Sequence, residues 1–241
     1  MPLHLIRPAI RVSTLLEFHD VSYHYPGGPP VLDGISFRLE PGEMVFLTGA
    51  SGAGKSTLLK LIALQVRASR GKVLVNEQNL ADIPQRKAAR HRRSLGLIFQ
   101  DFGLLPDRNT FDNVALPLII RGVPDQDRQR RVRAALNAVG LLGFERALPP
   151  TLSAGEQQRA CIARAVATRP RLIVADEPTG NLDPRMAEEV MNLFARFNEA
   201  GVSVLIASHA LDLIAQYDCR TLHLRQGRLS EHTPGEASDG H

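Results

Sequence analysis

The chain has 241 residues, enough for one large domain or one domain with an embedded subdomain. Hydrophobic residues make up 44% and charged residues 22%, which excludes a disordered, collagen-like or coiled-coil protein. Lys and Arg outnumber Asp and Glu by 29 to 25, a net +4, so an anionic partner such as a nucleotide, nucleic acid or lipid headgroups is expected.

In chain order, residues 1–14 form an N-terminal extension in which Arg7, Pro8 and Arg11 interrupt the apolar run that a signal peptide needs. Leu15–Tyr23 and Val31–Leu39 read as strands around the turn-forming Pro26–Pro30. Met44–Thr48 is a short apolar strand that runs into a glycine-rich turn. Helical spacing of Leu58, Leu59, Ile62 and Val66 then predicts a helix over Lys55–Val66. Lys72–Val75 and Leu95–Phe99 read as two further strands. The basic runs Arg86–Arg93 and Arg128–Arg133 read as solvated helix faces. No aromatics interleave them, so a stacking platform for nucleic acid is not expected. Residues from about 101 to 160 offer helices without clear strands and read as a helical insertion, with Val132, Leu136 and Val139 on one face of Asp125–Val139. Leu172–Ala175 and Val202–Ala207 are continuous apolar runs, as strands buried on both faces would be. Residues 230–241 are polar and read as a disordered tail. Strands alternating with helices define an α/β core over residues 15–229. Cys161 and Cys219 cannot staple a fold, and no apolar run approaches a bilayer span. The expectation is a soluble, intracellular protein.

Gly49-Ala50-Ser51-Gly52-Ala53-Gly54-Lys55-Ser56-Thr57 fits G-x-x-x-x-G-K-[ST] between a strand and a helix. Glycines let backbone N–H groups turn toward phosphate oxygens, and the helix N-terminus adds positive charge. Lys55 is expected to reach the β- and γ-phosphates and Ser56 to ligate Mg²⁺. The buried strand at Leu172 ends in Asp176 and Glu177. Asp176 suits Mg²⁺, and Glu177, pointing another way, can face an attacking water as general base. Ser153-Ala154-Gly155-Glu156-Gln157 precedes a helical run; Ser153 and Glu156 can form a capping box, and a capped N-terminus is also an anion site. Both readings stand together. Gln100 follows one strand, Asp183 follows the acidic pair, and His209 ends the next strand.

On these motifs the sequence resembles the ATP-binding-cassette ATPases, whose elements appear in family order: aromatic loop at Tyr25, phosphate loop at Gly49–Thr57, Gln100, signature at Ser153–Gln157, Asp176–Glu177, Asp183 and His209. The resemblance implies a P-loop NTPase core of the RecA-like type with an antiparallel β subdomain and an inserted helical subdomain. It implies ATP and Mg²⁺, with Ser56, Gln100 and Asp176 at the metal and Glu177, His209, Gln100 and Lys55 at the reaction. It also implies a homodimer in which the Ser153 segment completes the partner's site, with Asp183 lining the contact. Tyr25 would stack on adenine; Tyr23 is a rival, but Tyr25 has the matching spacing before Pro26-Gly27-Gly28.

Two departures stand out. Ala154 replaces the usual first signature glycine, which costs about 1 kcal/mol or more if that position needs φ > 0 and little otherwise; the expectation is reduced but real ATPase activity, with Ala154→Gly raising it. Ala210 replaces the acid that usually follows the histidine, weakening local support for His209. Within the family, Pro41–Ile62, Ile98–Arg108 and Asp112–Ile120 resemble the bacterial cell-division branch. That likeness implies an FtsX-like integral membrane partner, an association with the division protein FtsZ, a place on the cytoplasmic face of the inner membrane at the septum, and no nucleic-acid partner. Two alternatives remain: the ATPase of a lipoprotein-releasing or macrolide-type exporter, and a low-turnover nucleotide-gated dimerisation switch.

Overall fold

The computed structural model describes residues 14–99 and 101–232. β1 (Leu16–His24), β2 (Pro30–Leu39), β4 (Arg70–Val75) and the two-residue β5 (Gln78–Asn79) form an antiparallel sheet in the order β2-β1-β4-β5. A second sheet runs β10-β9-β3-β8-β7-β6. It contains β3 (Met44–Thr48), β6 (Gly96–Ile98), β7 (Leu172–Asp176), β8 (Ser203–Ala207), β9 (Arg220–Arg225) and β10 (Arg228–His232). All its pairings are parallel except β9 with β10.

The pleat of β3 divides the hydrophobic core. Val45 and Leu47 face one side, where they pack with the antiparallel sheet and with α1 (Lys55–Ile62). Met44 and Phe46 face the other, where α3 (Thr110–Ile120), α4 (Asp125–Ala138), α5 (Ala154–Val166) and α6 (Pro184–Glu199) contribute the remaining apolar side chains. Burial on both faces is why β3, β7 and β8 are unbroken apolar runs rather than alternating ones. A basic helix, α2 (Ala88–Ser94), precedes β6, and a single turn, α7 (Leu211–Ile214), follows β8.

Three sequence expectations need correction. α1 stops at Ile62 rather than Val66, because Leu64 takes φ +50° and ends the helix, although Val66 still packs on the core. The polar tail does not begin at residue 230: Ser230, Glu231 and His232 pair with His223, Leu222 and Thr221, since a backbone ladder forms regardless of side-chain polarity. β9 and β10 were not anticipated. Their signal is the Gln226-Gly227 turn, with φ of +48° and +76°, the two positive values that a tight two-residue hairpin needs. The remainder of the expected tail, residues 233–241, and most of the N-terminal extension lie outside the described residues.

α6 carries buried Val190, Met191, Leu193, Phe194 and Phe197 along one face, and Phe194 is fully buried. Phe194→Ala should lower unfolding free energy by about 3–5 kcal/mol, read from urea denaturation of the full chain. A loss below about 1 kcal/mol would mean that α6 is not packed as described.

Candidate active site

The phosphate loop lies where β3 delivers the chain to α1. Gly49 has φ +144° and approaches β9 so closely that a Cβ there would sit 2.3 Å from the Leu224 carbonyl oxygen. Thr48, just before it, shares a 3.1 Å hydrogen bond with His223 Nδ1, also on β9. The unanticipated strand is thus the floor of the loop. At the start of α1, Gly54 is the N-cap without a side-chain cap, and the first turn holds no acid. Helix N–H groups and their partial positive charge are therefore left for a ligand.

Lys55 is 7% exposed. Its ammonium donates to the carbonyls of Gly49 (2.8 Å) and Ala50 (3.3 Å) and lies 3.6 Å from Glu177 Oε1. Glu177 Oε2 accepts from His209 Nδ1 at 2.8 Å; a carboxylate can only accept, so the proton is on Nδ1. Glu177 has φ +49°, a left-handed conformation, and its N–H donates to Ala207 O at the end of β8 at 2.9 Å. Asp176 is 9% exposed, accepts from the Ser56 hydroxyl, and keeps its Oδ1 buried without a partner. Burial raises its pKa, with the Ser56 hydrogen bond opposing the rise. An unpaired buried carboxylate oxygen beside a hydroxyl fits a divalent cation that takes its other ligands from phosphate and water. Among the described residues no cluster of three His, Cys, Asp or Glu offers a complete cage.

Tyr25 is 40% exposed and its hydroxyl lies 3.2 Å from Thr57 Oγ1 in α1. Tyr23 stands edge-on to it with ring centroids 5.0 Å apart, but is 8% exposed within the core. Of the two tyrosines only Tyr25 offers an open ring face beside the phosphate loop.

The Ser153 segment is organised by its own hydrogen bonds. Ser153 Oγ accepts from Glu156 N–H (3.3 Å), while Glu156 Oε2 accepts from the Ser153 N–H and hydroxyl (both 2.8 Å). The capping box is formed, and its hydrogen bonds hold the Glu156 carboxyl below its ordinary pKa. Ala154 opens α5 with no positive φ, so the substitution carries no backbone strain, and the gain in activity expected of Ala154→Gly loses its basis. Gly155 is different: a Cβ there would meet Met186 Sδ at 2.7 Å. Met186 N–H in turn donates to Asp183 Oδ1 (2.9 Å), the N-cap of α6. One methionine therefore joins Asp183 to the signature helix. Ala210 leaves α7 without a side-chain cap, which an acid there could supply.

Sequence reasoning missed the grip of α5 on the loop after β6. Arg164 donates to Gly103 O (2.6 Å) and Phe102 O (2.7 Å), and Cys161 Sγ–H donates to Phe102 O (2.9 Å). Burial lifts the Cys161 thiol to about 11, so it stays protonated and able to donate at neutral pH. Gln100, expected in this loop, lies outside the described residues.

The sheet order, the loop at Gly49 and the acids ending β7 define a P-loop nucleotide hydrolase. The chain belongs to the ABC transporter family, whose model matches residues 32–180, and it is an ABC-type ATPase. It is 49% identical over 215 residues to the cell division ATP-binding protein FtsE of Escherichia coli K12, covering 89% of this chain and 97% of that one. It is 39% identical over 213 residues to FtsE of Bacillus subtilis 168, covering 88% and 93%. Among solved structures it resembles the dimeric ATP-binding cassette MJ0796 in a post-hydrolysis state bound to ADP and Pi, with TM-score 0.82 and 30% identity over 91% of this chain and 98% of that one. It also resembles cbiO1 of Clostridium perfringens, with TM-score 0.86 and 28% identity over 93% and 90%.

Two outcomes follow from this geometry. Asp176 has a raised native pKa, so its cost is absent at low pH and grows as pH rises from the unfolded value, near 3.8, through the native one. Asp176→Asn should therefore melt higher than the parent at pH 7 without ligand, the gap closing toward pH 4, in thermal scans. Equal melting across that range would remove the assigned burial cost. Ala154→Gly should change steady-state ATPase activity by less than about twofold, since there is no positive φ to relieve; a large gain in phosphate release would show that the methyl group itself obstructs the site.

Proposed function

We propose that this chain is the ATP-hydrolysing subunit of an FtsEX-like cell-division complex. It would work as a homodimer on the cytoplasmic face of the inner membrane, at the septum, with an FtsX-like integral membrane protein that regulates peptidoglycan hydrolysis. The observation that carries the reading is the carboxylate of Glu177, held between His209 and Lys55 beside an uncapped phosphate-loop helix. The cell-division assignment is supported by the FtsE relatives, which this chain matches over nearly their whole length. Contact with the division protein FtsZ belongs to the same reading. Residues 15–229 would form the nucleotide-binding domain, with residues of about 101–160 as its helical subdomain.

In this mechanism the backbone N–H groups of Gly49–Thr57 bind the phosphates of ATP, and Tyr25 carries the adenine. Lys55 exchanges its loop carbonyls for phosphate oxygens, which is favourable because an anion replaces neutral acceptors. Ser56 and Asp176, with Gln100, would hold Mg²⁺, which when bound neutralises charge on the phosphates. Glu177 accepts the proton of a water whose oxygen attacks the γ-phosphorus in line; the bond to the β–γ bridging oxygen breaks, giving ADP and phosphate. His209 keeps the Glu177 carboxylate aimed and faces the γ-phosphate. The Ser153–Gln157 segment would complete the site of a second copy, with Asp183 lining the contact. MJ0796, a relative of the same fold, is dimeric with ADP and Pi bound.

The groove of about 490 Å³ between α2, β6, α3 and α5, lined by Leu95, Leu97, Leu116, Pro117 and Ala165, is the proposed seat for a cytoplasmic helix of the membrane partner. Among the described residues no helix is long and apolar enough to cross a membrane.

Phosphate release, nucleotide binding and gel filtration of the full chain test this account. Glu177→Gln should lower turnover by about 10²–10⁴-fold while retaining ATP and shifting the protein to a dimer, whereas Lys55→Ala should lose ATP binding. Glu177→Gln remaining monomeric at saturating ATP, with the membrane partner present, overturns the dimer mechanism. Tagged chain purified from its native membrane should bring down an FtsX-like protein; an exporter subunit in its place overturns the cell-division assignment.

A further inference from the structure

Outside the nucleotide site, five arginines from four parts of the chain act on one another at the ends of α2, α3 and α5 and along α4. Arg93 Nη1 donates to Ile120 O (3.3 Å) and Arg121 Nη1 to Thr168 O (3.1 Å), which pins two guanidiniums across the C-terminal ends of α3 and α5. Arg131 has its Nε buried with no partner. Arg169, just past α5, holds φ +53°, a conformation natural to glycine and strained for arginine. Burial, then Arg131 and Arg93, lower the pKa of Arg121, and Arg169 is lowered by burial, Arg131 and Arg130. Asp127, the opposing charge that acts on Arg169, is already paired with Arg130 at 2.8 Å.

Capping of helix C-termini accounts for Arg93 and Arg121. It does not account for Arg130 and Arg169, which stay exposed beside them, or for a strained arginine where glycine would fit. Beside them, Ile119 and Ile120 are 49% and 54% exposed in the last turn of α3. Adjacent exposed isoleucines flanked by arginines match an interfacial surface: the apolar groups enter the headgroup–acyl boundary while guanidiniums meet lipid phosphates. A pocket for one free phosphate would aim its guanidiniums at a single point; here they spread over four elements, two of them committed to carbonyls. Arg93 and Ile120 also line the groove assigned above to the membrane partner, so the patch continues that face.

We propose that Arg93, Arg121, Arg130, Arg131 and Arg169, together with Ile119 and Ile120, form a membrane-contact patch that binds the anionic headgroups of the lipid surface. It rests on the membrane-partner reading, because it supplies the lipid side of the same docking face. The test uses the purified full chain and vesicles without any membrane protein, so it stands or falls separately from capture of an FtsX-like partner. Sedimentation with phosphatidylcholine vesicles should show little binding, and with vesicles containing phosphatidylglycerol salt-sensitive binding. The triple variant Arg121→Gln, Arg131→Gln, Arg169→Gln should bind the anionic vesicles about tenfold or more weakly, and Ile119→Ser should weaken binding further. Both should keep the parent's ATPase rate; Arg169→Gly, which relieves the strained backbone, gives a second variant expected to weaken vesicle binding while melting no lower than the parent. Binding equal on neutral and anionic vesicles, or unchanged in the triple variant, overturns the proposal. So does arginine-dependent binding of inorganic phosphate or polyglutamate with no binding to vesicles.

Discussion

Glu177 is pulled from two sides, by the imidazole of His209 and the ammonium of Lys55, and the surrounding architecture exists to hold it there. A left-handed backbone on a non-glycine residue costs roughly 1 kcal/mol. That cost is offset where the Glu177 N–H reaches Ala207 O, so the pairing of β7 with β8 is what fixes the carboxylate. His209 lies two residues beyond that carbonyl. The same register that buries Val174 and Leu205 therefore sets the distance between acid and imidazole. Core packing and site geometry are one constraint in this protein, not two.

Buried charge is the counterpart. Lys55 is almost fully enclosed, its ammonium hydrogen-bonded to its own loop carbonyls and its charge opposed by Glu177. Asp176 is also buried and has one oxygen unsatisfied, an arrangement that folding alone disfavours. The site thus stores an unmet demand for cations at Asp176 and carries a lysine whose present acceptors are neutral carbonyls plus one carboxylate. A polyphosphate with a divalent cation meets both needs at once, which is a physical reason for ligand binding to stabilise the fold.

What the residues announced in advance depended on how locally each feature is encoded. The phosphate loop, the acids ending β7 and the buried strands β3 and β8 are legible because contiguous residues dictate them. The capping box at Ser153 was legible for the same reason. β9 and β10 escaped notice because their alternation is masked by Arg220, Arg225 and Arg228, and only the Gln226-Gly227 turn gave them away. Yet β9 forms the floor of the phosphate loop and explains why Gly49 has no room for a side chain. The grip of Arg164 and Cys161 on the loop after β6 was illegible for a different reason: it joins positions about sixty residues apart through backbone carbonyls, which leave no side-chain pattern to read.

The two signature positions show why sequence identity and structural demand must be weighed separately. A glycine can be required by backbone conformation or by a neighbour's closeness, and the sequence does not say which. Ala154 meets neither condition on its own chain, being exposed and at ordinary φ. Gly155 meets the second, because Met186 occupies the space a methyl group would take. Met186 is also the residue whose N–H is capped by Asp183. A side chain at residue 155 would therefore displace the Met186 thioether, which sits beside the first turn of α6. The tolerated substitution lies where only a ligand or second copy could object, and the retained glycine lies where the chain's own packing objects.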